Sequence, residues 1–257
     1  MTPHFVQSSL HRAGCSAMGN PKFVLVTGGA RRIGRSLSLA VARCGFDVAV
    51  HYLNSRTEAE SLCREIRACG REAVALQADL MQPQQVASLV PRVLEHGPLV
   101  ALIHNASLFE PLDWLSSGLE DWNRHLMINL TAPFLLSQAF AQALHPGQQG
   151  RIISMLDWRV SRPGSDHLPY TTSRSALASL TKSLAIALAP QITVNALALG
   201  AVLPPSVGIA DPHILENVPS GRWAHLEEID QALIFLLAGP SCITGEVLTV
   251  DGGRHLV

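Results

Sequence analysis

FVLVTGGARRIG, residues 23–34, joins an aliphatic run to a glycine-rich turn and then to a helical pattern. The run Phe23–Thr27 is apolar until its last residue and does not alternate, as expected of a strand buried on both faces of a parallel sheet. Gly28 and Gly34 flank Arg31, Arg32 and Ile33 at the point where the helix begins. Such a turn lets backbone N–H groups at the positive end of a helix approach a pyrophosphate. A glycine pair also serves ordinary tight turns. Its place at the first strand-to-helix junction of a repeating chain makes it a nucleotide-binding signal.

The repetition continues outward. DVAVHY (47–52), EAVALQ (72–77), LVALIH (99–104), GRIISM (150–155), ITVNAL (192–197) and EVLTV (246–250) are further strand candidates. The segments between them are long enough for crossover helices, and right-handed crossovers then place helices on both faces. The expected fold is α/β: a single-domain, doubly wound Rossmann fold with a mostly parallel seven-stranded sheet. Residues 1–21 read as a flexible leader and 22–257 as the domain. The irregular, Gly- and Pro-rich stretch Ala198–Ser220 is expected to cover the substrate.

Composition narrows the function. Hydrophobic residues make up 47% of the 257 and aromatics only 5%, which suits aliphatic strands under Ala- and Leu-rich helices. A formal net charge of -1 gives no global attraction to nucleic acid or membrane. Cys15, Cys44, Cys63, Cys69 and Cys242 have neither CxxC nor metal-ligand spacing. They are expected to be reduced thiols in the cytoplasm, with no metal site.

The second strand bears on nucleotide choice. An NAD site usually ends that strand with Asp or Glu, which holds a ribose hydroxyl and repels a phosphate. Here it ends in HYLNS, and Asp47 comes too early. His51, Asn54 and Ser55 offer donors instead, and Arg31 and Arg32 add positive charge, so NADPH is the expected cofactor. Asp79, in QADL with Leu80, is placed to hold adenine or to cap the next helix. Asn105, in HNAS with Ala106 and Ser107, can fasten the loop beneath the cofactor or serve as a turn residue.

The order TG…G, ADL, NAS, IN, YxxxR and VDGG resembles the short-chain dehydrogenase/reductases over residues 22–253. Within them the chain is most similar to pteridine reductases and dihydromonapterin reductases, through Arg32 at the middle glycine of TGxxxGxG, HYLNS, NASLF and MLDW. The resemblance implies that Tyr170 delivers a proton while NADPH delivers hydride to a C=N bond, with Asp157 beside it. It implies that Asn129 organises a proton-relay water and that Phe109 sandwiches a pterin. Ser107 and Arg32 would line both cofactor and pterin, and Gly200 would meet the nicotinamide. The family is usually a homotetramer.

Reduction of C=N needs a proton opposite the hydride, and a phenol with a pKa of about 10 needs a nearby cation to cycle at neutral pH. Positions 170 and 174 lie one helical turn apart, and Pro169 suits a first turn. The family's lysine is replaced by Arg174. Arginine keeps the charge but does not release its proton. The family's Pro-Gly after the sixth strand is Leu199-Gly200. Two other readings stay open: a carbonyl reductase for another substrate, and a non-catalytic NADPH-binding protein.

Overall fold

In the computed structural model, residues 22–203, 215–216 and 218–257 are described. The leader 1–21, with Cys15, and the middle of the Ala198–Ser220 stretch lie outside them. The elements alternate as β1 (Phe23–Val26), α1 (Arg32–Arg43), β2 (Asp47–Tyr52), α2 (Arg56–Ala68), β3 (Ala73–Gln77), α3 (Pro83–Leu94) and β4 (Leu99–His104). Then come α4 (Leu119–Leu126), a π-helical turn (Met127–Thr131), α5 (Ala132–Ala143), β5 (Gly150–Asp157), α6 (Leu168–Ala187), β6 (Ile192–Leu199), α7 (Leu226–Ala238) and β7 (Val247–Val250).

The strands form one sheet in the order β3-β2-β1-β4-β5-β6-β7, and every pair is parallel. Period-two geometry splits each apolar strand between two layers. Val24 and Val26 face a core with Leu37, Leu62, Ile66 and Leu233, from α1, α2 and α7. Phe23 and Leu25 face the opposite core with Leu89, Leu136 and Phe140, from α3 and α5. The strand order reverses between β1 and β4, so a crevice opens at their carboxyl ends, where ligands bind in folds of this kind. The glycine turn after β1, the HNAS loop after β4 and Asp157 at the end of β5 all lie along that edge.

Arg151 anchors the far side: its guanidinium donates to Leu236 O (3.1 Å) and Gly239 O (2.9 Å), satisfying carbonyls at the end of α7. None of the helices among the described residues is long and apolar enough to cross a membrane.

Candidate active site

Thr27 ties the glycine turn to the HNAS loop. Its hydroxyl donates to Ile103 O (3.3 Å) and accepts from the N–H groups of Asn105 (2.9 Å) and Ala106 (3.1 Å). The Asn105 amide donates back to Thr27 O (2.9 Å) and Gly28 O (3.1 Å). Gly28 sits at φ +61, and a Cβ on Gly34 would come within 2.1 Å of Gly28 O. Both positions therefore require glycine, one for conformation and one for close approach. Arg32 holds φ +52, a left-handed conformation that favours glycine and costs another residue on the order of 1 kcal/mol.

His51 is not the open donor the sequence suggested. It is 2% exposed, and its Nδ1 accepts from Gly28 N at 3.0 Å. The remaining proton therefore sits on Nε2, which donates to Ala78 O at 3.1 Å. Burial pushes its pKa down to about 4. His51 supports the glycine turn from beneath and keeps no hydrogen for a phosphate. The Leu80 side chain is buried in the core, so its backbone is the part that can face a nucleotide.

Asn54 is exposed and Ser55 half-buried at the end of β2. Ser55 is the N-cap residue of α2 but makes no capping bond with its side chain. Arg31, Arg32 and Arg35 line a pocket of about 370 Å³ with Ala30, Thr57, Glu58 and Ser61. Arg31 faces Glu58 at 3.8 Å and Arg35 is paired with Glu65. Asp79 accepts from Met81 N at 2.9 Å, closing a turn ahead of α3, whose N-cap is Gln82.

Tyr170 lies in the first turn of α6, after Pro169, and is 6% exposed. Its hydroxyl donates to Asp157 Oδ2 at 3.0 Å. Asp157 Oδ1 accepts from Arg159 N at 2.9 Å, which fixes the carboxylate at the end of β5. One turn along α6, the Arg174 guanidinium carbon stands 5.6 Å from the centre of the Tyr170 ring. Arg174 is 3% exposed, and its Nε and Nη1 meet no protein acceptor.

The cation favours the phenolate as expected, but it does not set the net shift. Burial chiefly, and then the Asp157 carboxylate, hold Tyr170 above the usual phenol range, and Arg174 only partly offsets them. The group is a protonated donor at neutral pH.

Asn129 is held between the NASLF loop and α6. Its Oδ1 accepts from Leu108 N (2.9 Å), and its amide donates to Leu108 O (3.0 Å) and Ser173 Oγ (3.0 Å). Ser173 donates in turn to Tyr170 O at 2.7 Å. The side chain is wholly engaged in bracing the NASLF loop against α6, so it positions Phe109 and Tyr170. The π-helical turn carries Asn129 at this junction, a frequent use of such turns.

Phe109, 52% exposed, stacks on His167 (centroids 4.2 Å, 16° between planes) and stands edge-on to Tyr170 at 4.6 Å. Ser107 is exposed beside it. Gly200 plays a packing part: a Cβ there would lie 2.7 Å from Asp251 Cα, and its N–H is bonded to Val250 O at 3.1 Å. That N–H is closed to a nicotinamide.

Sequence reasoning passed over Thr27, Ser173 and His167. Thr27 and Ser173 stand inside motifs already singled out, TGG and YTTSR, where hydroxyl position was the available signal. His167 has no such signal.

A family described as Enoyl-(Acyl carrier protein) reductase matches residues 28–255. A 3-oxoacyl-[acyl-carrier-protein] reductase of Synechocystis sp. is 33% identical over 237 residues, 89% of this chain and 95% of that protein. Among solved structures, FolM alternative dihydrofolate reductase 1 from Brucella suis in complex with NADP is 34% identical with a TM-score of 0.85, covering 92% of this chain and 96% of that one. A blue fluorescent protein from a metagenomic library in complex with NADPH is 33% identical with a TM-score of 0.85, covering 91% and 98%. With the parallel sheet, the glycine turn and the Tyr170–Arg174 helix already in place, these matches make the chain a member of the short-chain dehydrogenase/reductase family.

Proposed function

We propose that this protein is an NADPH-dependent reductase acting on the C=N bond of a pterin or dihydropteridine, with Tyr170 as proton donor. The observation that carries the reading is the Tyr170–Asp157 hydrogen bond at 3.0 Å with the Phe109 ring 4.6 Å from the same tyrosine. A ketone carbonyl offers no hydrogen to a carboxylate, whereas the N–H-rich edge of a pterin does, so an acceptor-only Asp157 suits the latter. The exposed face of Phe109 suits a flat heterocycle. The NADP complex of the Brucella dihydrofolate reductase, at 34% identity, supports both cofactor and substrate class.

The residues fit the nucleotide. Gly28 and Gly34 let the turn fold tightly on itself at the start of α1, Arg31, Arg32 and Arg35 bring positive charge to the adjoining pocket, and the unmet donors of Arg174 suit ribose hydroxyls. When bound, NADPH supplies the hydride. Tyr170 supplies the proton to nitrogen and takes one back from water, while the Asp157 carboxylate holds its hydroxyl in place. Arg174 holds a fixed charge beside them. Assembly as a homotetramer and a cytoplasmic location belong to the same reading; the exposed Phe134 and Ile186 on α5 and α6 support association.

The test is oxidation of NADPH and of NADH in the presence of dihydropterins and of acetoacetyl-CoA. Turnover of dihydropterins with NADPH preferred is expected. Turnover of acetoacetyl-CoA alone moves the protein to the 3-oxoacyl reductases, the reading favoured by the Synechocystis relative. Nucleotide binding with no turnover makes it a non-catalytic binding protein.

A further inference from the structure

Next to the Tyr170–Asp157 pair, the chain brings together two arginines and a tryptophan that the proposed chemistry does not use. Trp158 follows Asp157 directly and opens a one-turn helix, Trp158–Val160. The last turn of the chain, Arg254–Leu256, packs over it, with the Arg254 guanidinium carbon 4.5 Å from the Trp158 ring centre. The Arg159 guanidinium carbon stands 5.1 Å from the same ring.

The two arginines differ in their partners. Arg159 pairs with Asp166 at 2.8 Å and faces Asp157 at 3.7 Å. Arg254 has no carboxylate within ion-pair distance among the described residues. Its conformation is nevertheless held firmly. Gly252 and Gly253 turn the chain at φ +66 and +87, and buried Asp251 accepts from Gly253 N (2.9 Å), His255 N (2.7 Å) and His255 Nδ1 (2.8 Å). Gly252 also packs so closely on Ser220 that a Cβ would come within 2.2 Å of its hydroxyl. The fold thus holds a half-buried guanidinium without a direct ion-pair partner among the described residues, near Arg159 and, farther off, the carboxylates of Asp157, Asp166 and Asp251. Its donors are therefore free to meet an incoming anion.

We propose that Arg254, stacked on Trp158 and backed by Arg159, forms a subsite for an anionic substituent of the substrate, a carboxylate or a phosphate. The protein then favours substrates with a charged tail over neutral ones with the same reacting ring. This rests on the reading that Tyr170 and Asp157 mark the reacting end.

The experiment compares wild type, Arg254→Met and Arg254→Lys on dihydrofolate, which ends in carboxylates, and dihydrobiopterin, whose side chain is neutral. Acetoacetyl-CoA, which carries phosphates, and neutral ethyl acetoacetate form a second pair. Arg254→Met should raise the ratio of KM for dihydrofolate to KM for dihydrobiopterin about tenfold or more, the effect of losing one charged hydrogen-bonded contact. Arg254→Lys should recover part of it, and added salt should raise the wild-type ratio in the same direction. Thermal melts check that both variants fold. Turnover of both pterins with an unchanged ratio overturns the subsite and leaves the pterin reading standing. Turnover of the acetoacetyl pair alone, with the ratio shifted by Arg254→Met, overturns the pterin reading and keeps the subsite, its ligand then being the phosphate.

Discussion

At the scale of single residues, the phenol of Tyr170 is governed by three neighbours acting in different directions. Its buried surroundings and Asp157 raise its pKa, while Arg174 lowers it. Removing the carboxylate charge with Asp157→Asn should therefore move phenolate formation to lower pH, and removing the cation with Arg174→Met should move it higher. The chain has only two tyrosines, so ultraviolet absorbance titration of the folded protein, with Tyr170→Phe to assign the transition, reads this without any turnover. Identical titrations in wild type and both variants would remove Asp157 and Arg174 from the control of Tyr170. Phe109 makes a separate prediction. If its open face stacks a pterin, Phe109→Ala should raise KM for dihydropterin about two- to tenfold, corresponding to roughly 0.5 to 1.5 kcal/mol. NADPH affinity, measured by direct titration, should hold; if it falls with KM, Phe109 acts on the nucleotide end instead.

At the scale of elements, the site depends on junctions between strand ends and helix starts. The turn between β1 and α1 is held by Asn105 from the loop after β4 and by His51 from the end of β2, so three strands fix its shape. Gly34 lies where the chain crosses itself, facing the backbone oxygen of Gly28 rather than a flexible side chain that could yield. Gly34→Ala should thus destabilise the fold by about 1–3 kcal/mol. It should also weaken NADPH binding, because the turn must open to admit the methyl group. Chemical denaturation and nucleotide titration check both effects. A variant with wild-type stability and affinity would show that the turn is far more pliable than its contacts indicate. The π-helical turn plays a comparable part on the substrate side, where Asn129 braces the Leu108 backbone and α6 together.

At the scale of the whole molecule, burial links the fold to pH. His51 is buried with a pKa lowered to about 4, and His104, buried and hydrogen-bonded to Ser137 at 3.0 Å, has one lowered to about 3. Both are neutral in the folded chain, while in the unfolded chain each takes up a proton near pH 6.5. Between those values the unfolded state binds more protons, so stability is full above about pH 6.5 and falls as the pH drops towards 4. For His51 alone the loss is on the order of 3 kcal/mol. Urea denaturation at pH 7 and pH 5 should show a lower midpoint at pH 5, and equal midpoints would mean that these histidines do not control acid stability.

The seven aliphatic runs and the glycine turn were legible from local sequence, because a strand buried on both faces must be apolar throughout and a close backbone approach must be glycine. The observed strands begin and end within two residues of those runs. The nearness of Tyr170 to position 174 was likewise legible, since helical spacing dictates it. What the tertiary structure alone decided is each polar group's choice among partners far apart in the chain. His51 could have faced a phosphate, but Gly28 and Ala78 meet both its nitrogens. Tyr170 could have been acidified by Arg174, but its burial and the arrival of Asp157 from β5 reverse the sign. Arg254, 96 positions after Trp158, acquires its meaning only where the two chain segments stack. Apolar pattern is a property of consecutive residues, whereas charge balance and hydrogen bonding depend on which distant segments the fold brings within a few ångströms and how much water it leaves between them.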